Sequence, residues 1–463
     1  MENTTNTAPI KRPVRRRKTK LQIFKEAYLP TIIIVLAFIV VLWFLVGGAI
    51  HRNQKPDPTV PSTDPPAPSI QPTETEDPIA KYEAEAQQRL SQAAACAKNY
   101  NYDEAVSILA AFPGNMEDFP ELKAAYESYV QTLNTMVTWN DPADVATLSF
   151  HILIADPELA YNDSQYASSY RKNFITTTQF ALMLEQLYDN GYVLVDFYDV
   201  YGEVDNESTG KTEYTALPIT LPEGKQPLML VQTNVNYYTY MNSGSADKKP
   251  DGFASRLNPD LSTNMTLADG STVTGAYDMV PILETFINAN PDFSYHGARA
   301  IVAATGYNGI FGYRVNDKSL SADALAAERE GAKAVAQALT DAGYHIACYT
   351  YDNINYASKS ASAIQSDLQK WEDEILPWLG ETSVDILVYA KEGDIGDDAP
   401  YSGSKFNVMY NAGYRYFLGT GETGWSQIGD KYVRHNRIMV TGAYLQSHDD
   451  WYTGLFDPDS LLG

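Results

Sequence analysis

Histidines and paired carboxylates are the residues that could carry acid–base or metal chemistry, and here they are sparse. The six histidines, His51, His151, His296, His345, His435 and His448, contain no His-x3-His pair, a spacing that could hold a divalent ion. His151 ends the run Leu148-Ser149-Phe150-His151. It reads as a structural histidine at a strand end or as an acid–base group. Asp352 lies beside Asn353, and Glu392 and Asp394 share an acidic loop. Each could move a proton, and each also fits a solvated loop. Cys96 and Cys348 lack metal-type spacing and read as lone thiols. Aromatics are abundant by contrast, with 33 tyrosines. Tyr237, Tyr238 and Tyr240 crowd one stretch, Tyr349 and Tyr351 another, and Trp425 follows a glycine-rich loop at 419–424. Rings with polar tips can stack on sugar faces and bond hydroxyls, or they can fill a core.

The elements that must position these residues alternate between strand and helix. From 145 onward, strands are expected at Val145–Ile154, Tyr192–Val195, Leu228–Gln232, Arg299–Ala304, His345–Tyr351 and Val384–Tyr389, and near Tyr416 and Arg437. Between them, Phe180, Met183, Leu184, Leu187 and Tyr188 make a helix face closed by Asn190-Gly191. Further helices are expected over Asp278–Ala289, over 321–342 with Gly343 as its cap, along Ile364, Leu368, Trp371 and Ile375, and over Ser404–Ala412. Apolar strands alternating with helices argue for an α/β fold built on a parallel sheet or barrel.

The order of these pieces resembles a polysaccharide deacetylase domain (NodB homology, carbohydrate esterase family 4) over about 145–463. Leu148-Ser149-Phe150-His151-Ile152-Leu153 is similar to the opening strand, and Phe174 to Tyr192 to the helix leading into a Gly-Tyr. Leu228 to Tyr238 stands where the family has a strand ending in Asp-Asp. Gly343-Tyr344-His345-Ile346-Ala347 stands before the family's His-x3-His, and Val388-Tyr389 opens a segment like its Tyr-Pro-x-Gly. Pro291 to Arg314 resembles an insertion of a membrane-anchored bacterial branch. The resemblance implies a distorted (β/α) barrel with its site at the strand C-termini. It also implies a divalent metal held by one Asp and two His, with a second Asp as base and a late His as acid, for hydrolysis of an amide-linked acetyl group.

Carried over by position, that set is missing. The base position is Thr233, the metal Asp is Asn234, and the two His positions are Tyr349 and Asn353. Asn and neutral Tyr are poor ligands for Zn-like ions, and Thr is no base near neutral pH. The Tyr-Pro-x-Gly segment reads Tyr389-Ala390-Lys391-Glu392, and the late region reads Thr441-Gly442-Ala443-Tyr444-Leu445 without a histidine. The expectation is a member with no metal cofactor and no ordinary deacetylase activity. Its cleft, with Tyr237, Tyr238, Tyr351 and Trp425 as ring platforms, would bind cell-wall polysaccharide. The alternative is an N-deacetylase with a rearranged site using His151, Asp352, Glu392 or Asp394.

The N-terminal region sets where this domain works. Leu29–Ile50 is a run of 22 uncharged residues, about 33 Å as a helix and enough for a hydrocarbon core of about 30 Å. Eight Lys/Arg precede it within the basic tail 1–28, and only Arg52 and Lys55 follow closely. The positive-inside bias therefore makes it a signal anchor with the C-terminal part outside the cell membrane, in preference to a cleaved signal peptide. The stretch 53–78 has eight prolines in 26 residues, a semi-rigid stalk of up to about 80 Å at ~3.1 Å per residue. Residues 1–52 hold nine of the 34 Lys/Arg and two of the 58 acids, a net of +7. The remaining 25 bases and 56 acids give a net of −31. So acidic an ectodomain excludes nucleic acid as its partner. Between stalk and barrel, 79–140 is expected to be helical, with Tyr102-Asp103-Glu104-Ala105 and Leu109 like half of a tetratricopeptide pair. Its third helix carries Leu122, Tyr126, Tyr129, Val130, Leu133 and Val137. It reads as a spacer or cap packed on the next domain, or as a dock for a protein partner.

Overall fold

The computed structural model describes residues 78–206, 210–242, 249–380, 382–396 and 399–462. The apolar run at 29–50, the basic tail and nearly all of the stalk lie outside the described residues. Among the described residues no helix is long and apolar enough to cross a membrane. Residues 77–463 form one compact unit.

Seven parallel strands close into a barrel. In chain order they are β1 (Ala146–His151), β2 (Gln226–Thr233), β3 (Ile301–Ala304), β4 (His345–Cys348), β5 (Ile386–Val388), β6 (Tyr416–Thr420) and β7 (Tyr432–Met439). Around the wall they run β3-β4-β5-β6-β7-β1-β2, and β2 returns to β3 by pairing Val231 with Ile301. The expected (β/α) barrel is thus met in this closed form. Each strand is buried on both faces, which explains the near-continuous apolar runs. Leu228 and Leu230 of β2 join the cluster under the helices, whereas Met229 and Val231 join the cluster inside the barrel with Ala303, Ala347, Val388, Leu418 and Val433.

The helices around the wall start and stop on local signals. Helix α5 (Thr177–Asp189) opens on a capping box in which Thr176 Oγ1 accepts from Gln179 N at 3.1 Å and Gln179 Oε1 accepts from Thr176 N at 2.7 Å. Helix α7 (Ala322–Ala342) opens on Ser321 and ends on Gly343 at φ 100°, a left-handed C-cap that a β-carbon would disfavour. Helices α6 (Met279–Ala289) and α8 (Ala361–Glu374) bury Leu283 and Ile287, and Ile364, Leu368 and Trp371. The short helix α4 (Ala167–Asn173) precedes α5 at the rim of the barrel.

One end of the barrel is sealed. Helices α1 (Pro78–Lys98), α2 (Tyr102–Ala110) and α3 (Pro120–Asn134) share a small core of Ala93, Ala105, Leu109, Phe112 and Leu122. The turn between α1 and α2 presents Tyr100 to the barrel interior cluster. Its hydroxyl donates to the Asp292 carbonyl at 2.5 Å, and its ring lies 5.7 Å from that of Tyr295. The third helix stops at Asn134, short of Val137. Val137–Trp139 instead pairs antiparallel with Ile219–Leu221, so the helical stripe expected through Val137 ends one turn early.

Candidate functional site

The other end of the barrel is open. The last residues of β1, β2, β4, β5 and β7 lead into a cleft of about 700 Å³ whose lining includes His151, Asn234, Tyr349, Asn353, Lys391, Glu392, Met439 and Thr441. Strand register brings them together: His151 stands opposite Thr233 across the β1–β2 pairing. Of the four positions that the sequence resemblance sets against metal ligands and base, Asn234, Tyr349 and Asn353 line the cleft. Thr233 is fully buried one layer below.

His151 is the hub. Its Nδ1 lies 2.6 Å from Thr233 Oγ1 and 3.2 Å from Asn234 Nδ2. An amide nitrogen only donates, so Nδ1 accepts and the ring proton is assigned to Nε2. Asn234 is oriented by Tyr238, whose hydroxyl donates to Asn234 Oδ1 at 2.9 Å. Burial, with the Arg437 charge nearby, pushes the His151 pKa down to about 4. The imidazole is therefore neutral at neutral pH.

The backbone at this end is strained. Asn234, Tyr237, Thr350, Asn353, Lys391 and Glu392 all have φ between 49° and 61°. Non-glycine residues there cost roughly 1–3 kcal/mol each and persist where their surroundings over-determine them. Thr350 is the most telling, because a β-branched residue is a clear outlier at such an angle. Its neighbours hold it: Ile354 N donates to its Oγ1 at 3.1 Å, and the Tyr351 carbonyl accepts from the amides of Gly306 and Tyr307 at 3.0 and 3.1 Å. Asn236 and Arg314 tie the same loops. Asn236 Nδ2 donates to the Thr305 carbonyl at 2.7 Å, and Arg314 donates to the carbonyls of Tyr237 and Asn308 at 2.5 Å.

The other candidates named from the sequence take different places. Glu392 lines the cleft and accepts from the Tyr444 hydroxyl at 2.7 Å. Asp352 is paired with Lys370 at 3.0 Å and Asp394 with Arg434 at 3.0 Å; neither is part of the cleft lining. Tyr238 lines the cleft. Tyr237 is fully buried, with its hydroxyl donating to Asp278 at 2.6 Å, so its ring is a core ring. Tyr351 borders a second cleft of about 480 Å³ with Thr239, Asn308, Arg314 and Asn316. Trp425 lies outside both clefts with the Arg434 guanidinium 4.7 Å over its ring. Sequence reasoning missed Tyr166, Lys172, Tyr307 and Arg437; their spacing carries no signal, because α4 and its N-terminal turn and the loop after β3 bring the first three to the rim only in the fold, and β7 buries Arg437. Cys96 and Cys348 are both free.

A run of tyrosines leaves the cleft. Tyr166 and Tyr240 are 5.6 Å apart edge to face, Tyr240 and Tyr238 stack at 5.7 Å, and Tyr238 and Tyr307 are 5.8 Å apart. Among the described residues seven large apolar side chains are exposed, and three of them are Tyr166, Tyr240 and Tyr307. Clustering of that kind marks a binding surface more than chance exposure.

The metal implied by the resemblance can be tested against this donor set. Asn234, Tyr349 and Asn353 are neutral donors, and the one imidazole has its Nδ1 engaged by Thr233 and Asn234. Among the described residues no group of three His, Cys, Asp or Glu side chains is gathered anywhere. These residues do not fit a Zn-like ion, which takes imidazole, thiolate or carboxylate.

The class so defined is a closed seven-stranded parallel (β/α) barrel, sealed at one end, with a tyrosine-rimmed cleft at the C-terminal ends of its strands. Among solved structures the chain is similar to the Streptococcus pyogenes deacetylase PplD in complex with acetate, at 11% identity over 66% of this chain and 99% of that one, with a TM-score of 0.33. It is likewise similar to a de-N-acetylase from Aggregatibacter actinomycetemcomitans, at 14% identity over 67% and 99%, with a TM-score of 0.37. Morphinone reductase also matches, at 10% identity, 60% and 76% coverage and a TM-score of 0.23. At these scores the likenesses carry no argument about the site, which stands on its own geometry. No family model matches the chain, and no curated protein does.

Proposed function

We propose that this is a membrane-anchored, extracytoplasmic protein of polysaccharide-deacetylase type that binds a cell-wall glycan without metal-dependent deacetylation. The observation that carries the reading is the convergence of Asn234, Tyr238, Tyr349 and Asn353 on one open cleft continuous with exposed Tyr166 and Tyr240. Amides and phenols give paired donors and acceptors for sugar hydroxyls and N-acetyl groups, and the ring faces suit the apolar faces of pyranoses. The anchor and stalk would hold this surface near the wall. The helical segment 79–140 spends Tyr100 on sealing the barrel, and its outer face is where a protein partner would dock.

Titration of the full chain, kept in detergent micelles, against solubilised peptidoglycan fragments and chitooligosaccharides tests the reading. Saturable binding that Tyr238→Ala weakens supports it, and absence of binding to all of them sinks it.

His151 and Glu392 favour a second reading, since both line the cleft and could act as acid–base groups of a rearranged N-deacetylase. Acetate release from acetylated chitooligosaccharides, together with metal analysis after dialysis, separates the two readings. Turnover with stoichiometric metal would replace the binding role by a catalytic one.

A further inference from the structure

The cleft is a positive patch in an acidic domain. Lys172, at the end of α4, and Lys391, on the left-handed turn after β5, are exposed, line the cleft and form no ion pair among the described residues. Below the cleft floor Arg437 of β7 is 1% exposed. Its guanidinium bonds only neutral groups: Ser149 Oγ at 3.1 Å, the Tyr389 carbonyl at 2.6 Å, the Met439 sulfur and the Tyr349 hydroxyl. Its Nε has no partner. Burial lowers its pKa, yet arginine stays protonated in proteins. A buried charge without a bonded counter-ion is costly, and an anion arriving nearby relieves that cost. Glu392 is the one carboxylate in the lining and lies within electrostatic reach of Arg437, but the Tyr444 hydroxyl already engages it. Two lysines and one carboxylate thus line the cleft, with Arg437 beneath it and Asp251 held under Tyr170 at 2.8 Å, whereas 56 acids outnumber 25 bases beyond residue 52.

We infer that the glycan held in this cleft carries an anionic group, a carboxylate or a phosphate, seated above Arg437 and between Lys172 and Lys391. The inference rests on the glycan-binding reading and narrows it. The surrounding acidic surface repels anionic polymers at long range, so recognition must be local, within a Debye length of about 8 Å at physiological salt. The neutral tyrosine run would then carry the uncharged part of the chain.

Calorimetric titration of the full chain in detergent with three sugars of equal length tests this: chitotetraose, chitotetraose bearing one 6-phosphate, and a hyaluronan tetrasaccharide bearing uronates. The expected result is that at least one charged sugar binds roughly tenfold tighter than chitotetraose at low salt, with the preference shrinking at about 0.5 M salt. Which charged sugar wins distinguishes carboxylate from phosphate. The double variant K172Q/K391Q, exposed on the rim and so expected to fold, should bring the charged-to-neutral ratio to within about twofold of unity. Equal or weaker binding of both charged sugars overturns the charge inference and leaves the glycan reading standing. Binding of none of the three overturns both.

Discussion

The two ends of the barrel are built from the same strands and end in opposite ways. At the N-terminal end of the strands, Tyr100 from the turn between α1 and α2 joins the interior cluster, and Trp139, Tyr198 and Tyr295 pack against it. At the C-terminal end, residues of the same interior layer emerge into open space as His151, Tyr349 and Met439. Left-handed residues follow the same division. Of the two ends, the sealed one has Tyr100 and His296, and the open one has Asn234, Tyr237, Asn308, Phe311, Thr350, Asn353, Lys391 and Glu392. The contrast teaches that strain collects where the chain turns polar groups into an open cleft, and that packing dominates where it does not.

The sharpest way to break this contrast is to open the sealed end. Tyr100→Ala removes a ring that is 6% exposed and should cost about 3–4 kcal/mol in urea denaturation. Glycan affinity of the folded protein should stay within about twofold; a parallel loss of affinity would mean that the ends are coupled. Acid comes next. Burial puts the pKa of His151 at the mouth and of His435 deep in the barrel at about 4, against an ordinary 6.5. The unfolded chain therefore takes up these protons first, and stability falls as pH drops from 6.5 towards 4. Asp278 acts oppositely: burial raises its pKa to about 6, so its folded form gains stability as pH drops through that value. With about 3 kcal/mol for each of these groups, and Asp385 acting in the same sense as Asp278 because burial raises its pKa too, the net loss between pH 7 and pH 4 should be no more than about 3 kcal/mol, read from urea midpoints.

A smaller change sharpens the mouth itself. Asn234→Asp places a carboxylate against His151 Nδ1, now 3.2 Å from the amide, and should raise the imidazole pKa by about 1–3 units in an NMR titration. An unmoved pKa would contradict the placement of these two residues. The smallest stability effect is expected on the tyrosine run. Tyr240 and Tyr307 are 40% and 53% exposed, so their alanine variants should alter stability by less than about 0.5 kcal/mol. Each should weaken chitotetraose binding roughly threefold. Val204→Ala, equally exposed but outside both clefts on the Tyr201–Asn206 strand, should change neither quantity.

Much of the scaffold was legible before any coordinates. Apolar runs marked all seven barrel strands to within a few residues, and Ser321, Gly343 and Asn190-Gly191 marked helix ends by capping chemistry. Val137 failed because it continues the i, i+4 stripe from Leu133, while its partner Leu221 lies 84 residues away. In the cleft, Asn234, Tyr349 and Asn353 could be placed because strand ends in a parallel barrel share one rim, and Thr233 fell one layer below them. Tyr237 and Tyr238 could not be told apart. One bonds Asp278 in the core and its neighbour bonds Asn234 in the cleft, and the choice turns on a left-handed backbone at Tyr237 and on partners distant in the chain. Asp352 and Asp394 looked like free carboxylates only because Lys370 and Arg434, their neutralising partners, are 18 and 40 residues away.

The left-handed rim has one more consequence, for anyone who would improve this protein. Glycine or asparagine at Thr350 would ease the left-handed backbone, whose φ is 61°, but glycine would leave the Ile354 amide without the hydroxyl that accepts from it. The same relaxation would let the loops carrying Tyr349 and Asn353 wander, and the bound sugar would have to order them again. Backbone ease and grip are thus set against each other in a single residue.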